Sequence, residues 1–261
     1  MPVNIETALK RGVNRTVARN GLLLAGVLFV ISTINEIVGF GVALRLRGAL
    51  PMSALPTNFP FPGDTSAALF AVNPAVGAVV SLLAGLATVV LTIGALRTFV
   101  SDETERLPRE HFTENVVWPG LNFIVGAIVF AVLVAFGFVL FVVPGIFLLV
   151  ALAFWAVYVA VEDENFVAAM QDSWGLTRGH RLRLFLLGVA VAVVAIVVSA
   201  VFGVAGIVGG VVGVIVTQIG SALTTVFTLA TLAAAYEQLV SLSVEETPVT
   251  AESDSETSTP A

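Results

Sequence analysis

The amino-acid sequence predicts an all-α, polytopic transmembrane helical bundle of six spans with interfacial cytoplasmic helices, and three observations carry that prediction. Residues 119–161 and 184–235 run for 43 and 52 positions without Asp, Glu, Lys, Arg or His. A helix rises about 1.5 Å per residue and the hydrocarbon core is about 30 Å thick, so each run is long enough for two crossings. The composition agrees, with 57% hydrophobic residues, 11% charged residues and a mean hydropathy of +1.01. Soluble domains carry about 25% charged residues, so lipid is the solvent for most of this chain. The third observation is the sidedness of the basic residues, which emerges once the spans are placed.

Residues 1–20 read as an interfacial basic helix. Ile5, Leu9, Val13 and Val17 recur at helical spacing on one side, and Arg11, Arg15 and Arg19 form an i, i+4 stripe on another. The alternative is the basic start of a cleaved signal peptide, but no A-x-A site follows at the right distance and the apolar stretch continues to Leu44. The first span is therefore placed at 21–44. Residues 45–73 hold Pro51, Pro56, Pro60 and Pro62 without helical period and read as an extended connector. The second span is 74–96, and residues 97–118 supply a loop with charges of both signs.

The third and fourth spans, 119–142 and 145–161, are cut at Val143-Pro144-Gly145, because proline has no N–H for a helix ladder and glycine accepts turn geometry. A polar loop over 162–183 leads to the fifth and sixth spans, 184–208 and 211–235, joined by a turn near Gly209-Gly210. The tail, 236–261, holds six acidic residues and no Lys or Arg, and is expected to be disordered. One six-span membrane domain, 21–235, between the basic helix and the tail is the economical reading.

With these cuts, ten of the twelve basic residues fall on one side and only Arg45 and Arg47 lie opposite. Basic residues accumulate on the cytoplasmic side of short loops, which predicts a multi-pass protein of the cell membrane with both termini cytoplasmic. Were Pro144 only a kink in one long helix, the division would weaken to seven against five. A coarser regularity accompanies this: each cytoplasmic segment precedes a pair of spans, so the chain reads as three helical hairpins.

Several function classes are poorly served by this inventory. No stretch between the apolar runs approaches the size of an ordinary soluble domain, about 100 residues. Cysteine is absent, which excludes disulfides and thiolate chemistry, and His111 and His180 are isolated where a zinc site wants three or four converging ligands. No phosphate loop, dinucleotide fingerprint, H-E-x-x-H or nucleophile elbow occurs, so no catalytic residue, metal ligand, cofactor or nucleic-acid partner is expected. The net charge is −6, and eleven of the twelve basic residues are Arg against the single Lys10. Acidic surfaces stay hydrated in concentrated salt, which points to a halophilic archaeon as the source.

Glu36, beside Asn35, is the one ionisable residue within the spans as placed. A carboxylate at the bilayer centre costs about 2.5–3.5 kcal/mol on insertion scales, so it faces a bundle interior, water or a partner. It reads either as a proton or cation site, or as a residue near the outer headgroups beside Arg45 or Arg47. The sixth span carries Thr217, Gln218, Ser221, Thr224, Thr225, Thr228 and Thr231 at spacings of three and four, a face expected to pack inward. Glu36, Asn35, Gln218, Ser221 and Thr225 make up the candidate intramembrane polar site. Gly206/Gly210 and Gly209/Gly213 give G-x-x-x-G spacings, which serve either close helix crossing or a turn.

In the loop 162–183, Phe166, Met170, Ser173, Trp174 and Thr177 share a helical face, with acidic residues before the helix and arginines after it. Trp174, Arg178, Arg181 and Arg183 are the candidate lipid headgroup contacts, since an indole and arginines suit a helix in the headgroup layer.

Pro144-Gly145-Ile146, Tyr158, Glu162-Asp163-Glu164, Ala168-Ala169-Met170, Ser173-Trp174, Leu176-Thr177 and Gly179-His180 together form a pattern. It resembles that of the six-span membrane domain attached to some bacterial glycerophosphodiester phosphodiesterases, and of related stand-alone proteins. The likeness covers about 40 residues and implies a helical membrane domain with a cytoplasmic turn. It carries over no catalytic residue, because the activity of the fused members resides in a soluble barrel that this sequence lacks. The function expected is that of a non-enzymatic integral membrane protein organising membrane lipids, a protein partner or a second copy of itself at the cytoplasmic face. The alternative is a small-solute or ion transporter or channel using Glu36.

Overall fold

The computed structural model describes residues 4–49, 72–103, 107–206 and 210–245. Ten helices follow one another along them, with no strand among the described residues. Six segments are long and apolar enough to cross a membrane: Arg19–Gly39, Pro74–Val100, Val117–Leu140, Val142–Val161, Arg181–Val204 and Val212–Ser243. The protein is a polytopic α-helical bundle.

Helix α1 (Ile5–Val17) starts on Asn4, whose side chain accepts from Thr7 N. Helices α2 (Arg19–Ala49) and α3 (Pro74–Val100) form the first hairpin; Asn73 caps α3, and Pro74 occupies the first turn, where a missing N–H costs nothing. The connector between them lies at 50–71, outside the described residues, as do its prolines. The short α4 (Glu110–Thr113) leads to the second hairpin, α5 (Val117–Leu140) and α6 (Val142–Ala151), which α7 (Trp155–Val161) extends. Helix α8 (Phe166–Leu176), capped by Asn165, precedes the third hairpin, α9 (Arg181–Gly206) and α10 (Gly210–Glu245). The turn expected near Gly209-Gly210 falls largely on 207–209, outside the described residues.

The reversal between the third and fourth spans lies at Phe141, whose backbone is extended, three residues before the expected Pro144. Proline forbids the helix interior but suits a first turn, so Pro144 opens α6 where it was expected to end a helix. Glycines let the two arms meet: a Cβ on Gly137 would stand 2.9 Å from Gly145 Cα. Below that contact, Phe123 and Phe130 pack on Trp155 with centroids 5.2 and 5.9 Å apart.

Burial is concentrated at the end of the bundle that holds α1, α7, α8 and the last turns of α10. Ile93, Leu96, Phe154, Val157, Leu184, Tyr236 and Leu239 form the core there with Ala8. A second cluster joins Leu24, Ala25 and Leu28 of α2 to Ala222, Val226 and Ala230 of α10. Residues 236–245, expected to begin a disordered tail, continue α10, because Tyr236 and Leu239 are apolar on the face that α1 and α7 cover. Residues 246–261 lie outside the described residues.

Helix α1 also turns differently from its sequence pattern. Its buried face is Ala8, Gly12, Arg15 and Thr16, while Val13 and Val17 are exposed. Small residues decide this: Gly12 lies against Thr231 and Phe227 so closely that a Cβ would collide with the threonine hydroxyl. Backbone approach to α10 outweighs the burial of two valines, which lipid can cover at no cost.

Candidate functional site

Most charged groups of the described residues gather at the same end of the bundle, which we term the arginine face, while Glu36 and Arg45 lie elsewhere on α2. Arg15, only 6% exposed, donates from Nη2 to Asp102 Oδ1 at 2.7 Å and to Glu237 Oε1 at 2.9 Å. Arg11 reaches the same Glu237 at 3.3 Å, and Asn4 N donates to Gln238 Oε1 at 2.9 Å. The N-terminal helix is thus tied to the end of the last one by ionic and hydrogen bonds. Arg15 was expected in an arginine stripe at the headgroups; it is instead an internal cation, because Gly12 brings this face of α1 against α10.

Arg97, near the end of α3, organises the second group. Its Nε donates to Ala160 O at 2.6 Å, Nη1 to Glu114 O at 2.9 Å and Nη2 to Asp163 Oδ1 at 2.7 Å. Asn115 Nδ2 completes the Asp163 carboxylate at 2.8 Å. A cleft of about 430 Å³ opens over these groups, lined also by Ser101, Glu110 and His111. Thr98 spends its one hydroxyl proton on Gly94 O at 2.7 Å, so His111 Nδ1 carries the proton in its 3.2 Å contact with Thr98 Oγ1.

Helix α8 is packed against the bundle. It folds back along α7 to reach the break between α6 and α7 at Leu152–Phe154. Ser173 Oγ donates to Ala151 O at 3.1 Å and accepts from Phe154 N at 3.0 Å, and Thr177 Oγ1 donates to Ala151 O at 3.2 Å. Asn122 of α5, 8% exposed, accepts from Phe166 N at 3.2 Å and fixes the start of α8. These side chains satisfy backbone groups that an unbroken helix would have paired internally.

Trp174 and Arg181 are brought together. The Arg181 guanidinium lies 4.5 Å from the Trp174 ring centroid and 4.6 Å from that of Phe147, and Nη2 donates to Trp174 O at 3.3 Å. Arg178 and Arg183 are exposed on the same end. Beside α8, Glu164 is pushed up to about 7, chiefly by burial, then by the charge of Asp172 and a hydrogen bond to it, and by Glu162.

The intramembrane residues do not assemble in this way. Glu36 and Asn35 are exposed on α2, Ser221 and Thr225 are exposed on α10, and Gln218 is half-buried. Thr217, Thr224, Thr225 and Thr228 each donate to the carbonyl four residues back. Of the face expected to pack inward, only Thr231 is fully buried; Ala222, Val226 and Ala230 make the packing instead. A threonine that satisfies its own hydroxyl has no need of a partner helix. Arg19, Arg97, Arg181, Arg183 and Glu237 join Glu36 as charged residues within spanning segments.

Among the described residues, no group of three His, Cys, Asp or Glu could hold a metal ion. Sequence reasoning named Arg15, Arg97 and Asp163 only as loop or headgroup charges and passed over Asn122, the one amide in the run 119–161 and the most visible signal. One family model matches the chain, over residues 3–239, under the description Domain of unknown function (DUF7847). No curated protein and no solved structure matches it.

Proposed function

The chain belongs to the DUF7847 family, and from that premise we propose that it is a non-enzymatic membrane protein that organises anionic lipid or a membrane partner at its arginine face. We place that face in the cytoplasm of the cell membrane, since Lys and Arg accumulate there. The observation that carries the reading is the division of labour among the arginines. Arg15 and Arg97 are consumed by internal carboxylates and carbonyls, and Arg181 is held between Phe147 and Trp174. Arg178, one helical turn from the Trp174 ring, makes no side-chain hydrogen bond or ion pair among the described residues. An indole and an exposed guanidinium, presented by a helix anchored through Ser173 and Thr177, match the level of the lipid phosphates.

The likeness of residues 144–180 to six-span bundles supports the same reading, because the matching residues have architectural roles here. Ser173 and Thr177 close the broken fourth span, and Gly179 adopts φ 86°, which favours glycine. A transport reading finds less support, since Glu36 is exposed and makes no hydrogen bond to the hydroxyls of α10 among the described residues. The test is native mass spectrometry of the protein extracted in mild detergent. Wild type should retain phosphatidylglycerol over phosphatidylcholine, and R178Q together with R183Q should lower that retention severalfold. Extraction with neither lipid nor a partner bound would sink the proposal.

A further inference from the structure

A second apolar feature lies away from α8, on the other side of the loop that joins α3 to α5. Helices α2 and α3 leave between them a groove of about 520 Å³, walled by Leu24, Ile31, Val90 and Leu91 and closed at one end by Phe112. The ring of Phe112 rests on Gly94, where a Cβ would collide with it, so the end wall is fixed by close packing. From Leu24 to Ile31 the groove spans about two helical turns, roughly 10 Å along the helix axis. Both walls belong to membrane-spanning segments, so the medium that meets this opening is lipid hydrocarbon.

Arg109 and Thr113 stand at the mouth of the groove. Arg109 is exposed, and its guanidinium makes no hydrogen bond or ion pair among the described residues. Its neighbour Glu110 lines the separate cleft over Arg97 and His111, so adjacent residues of opposite charge serve opposite sides of the loop. Among the described residues, one cation stands at the end of this apolar trough.

We propose that the α2–α3 groove is a binding site for an anionic glycerophospholipid, with one acyl or isoprenoid chain along Leu24–Ile31 and the phosphate at Arg109. The inference deepens the lipid-organising reading but rests on different residues. The occupant is a lipid because both walls belong to spanning segments that meet hydrocarbon, and the Arg109 cation at the mouth complements a phosphate. The groove itself confers little selectivity, because lipid tails are as apolar as its walls. Discrimination therefore comes from Arg109, and a basic residue near the headgroups is worth about 1 kcal/mol, or about fivefold.

The test uses the full chain in nanodiscs containing phosphatidylglycerol with a diazirine in one acyl chain, and maps crosslinked residues by mass spectrometry. Crosslinks are expected on Ile31, Val90 or Val27, which also lines the groove, with phosphatidylglycerol displacing the probe about five times more effectively than phosphatidylcholine. R109Q, an exposed change that leaves the fold intact, should abolish that preference while sparing crosslinks near Trp174. Equal displacement by the two lipids in wild type, a preference that survives R109Q, or crosslinks absent from the groove would each overturn the proposal. If R178Q with R183Q still lowers bulk lipid retention, such a failure leaves the broader reading standing.

Discussion

Asp102 and Asp163 occupy the same left-handed backbone conformation, φ 54° in both, and each is held by an arginine from an earlier segment. Each follows the C-cap of a helix, Ser101 after α3 and Glu162 after α7, the position at which helices commonly end on glycine. Aspartate tolerates this region better than most residues, and the ion pair supplies what glycine would have supplied for nothing. Two of the three hairpins therefore finish on the same device: Arg15 reads the first turn and Arg97 the second.

The two pairs differ in weight. Asp102 is 76% exposed, whereas Asp163 is 40% exposed and its partner Arg97 only 13%. Exposed ion pairs contribute about 0–1 kcal/mol, while removal of one partner of a buried pair costs about 3–5 kcal/mol. D163A should therefore destabilise the detergent-solubilised protein by about 2 kcal/mol or more, and D102A by less than about 1. Thermal unfolding of both variants checks the order, and equal losses would show that the Arg97 network is not the stronger clasp.

How much of this was open to sequence reasoning depended on whether a residue acted through its own type or through what the fold brought to it. Five of the six spans follow from charge-free runs, which water cannot satisfy, and the first from an apolar run interrupted only by Glu36. Pro144 was misplaced by three residues because proline is compatible with both the end of one helix and the first turn of the next. The threonines of α10 suggested an inward polar face, yet each can bond its own carbonyl four residues back, so the pattern had two solutions. Arg15 looked like a headgroup arginine, and only the contact of Gly12 with Thr231 turns it inward. The arginine face was legible as charge and illegible as pairing, since its partners lie up to 226 positions apart.

Arg15 is the most buried cation of the face, and its main counter-ion is Glu237, 23% exposed, since Asp102 is largely in solvent. R15M keeps the stem and removes the charge, leaving Glu237 in a poorly solvated site. A loss of about 3 kcal/mol is expected, and R15M/E237Q should recover part of it. A double variant no more stable than R15M alone would show that the two charges are not coupled.

Glu164 sets the pH response beside α8. Its carboxyl is pushed up from 4.5 to about 7, chiefly by burial and then by Asp172, so the folded chain binds this proton more tightly than the unfolded chain does. Stability from this group is fully present below about pH 4.5, declines as pH rises, and is lost above about pH 7. Unfolding temperatures measured from pH 5 to pH 8 should fall, and E164Q should flatten the profile and exceed wild type at pH 8. A wild-type slope unchanged by E164Q would refute the assignment.

The break in the fourth span gives the sharpest test of how α8 is held. An interruption at Leu152–Phe154 leaves Ala151 O and Phe154 N without helical partners at a fully buried site, and Ser173 Oγ serves both. A buried backbone group left unsatisfied costs about 1–3 kcal/mol, and the low-dielectric surroundings favour the upper part of that range. Thr177 adds a second bond to Ala151 O, so its loss leaves that carbonyl still paired. S173A should therefore cost about 2–3 kcal/mol, and T177V, which preserves volume, about 1 kcal/mol. The asymmetry follows from the N–H: Phe154 N has only the serine oxygen to donate to, and threonine at 177 does not replace it. Hydrogen exchange should localise the S173A effect to Phe154 and α8 while α2 and α9 keep their protection. Uniform loosening of the bundle, or a T177V cost as large as that of S173A, would mean that apolar packing of Ala169 and Met170, and not these bonds, holds α8 in place.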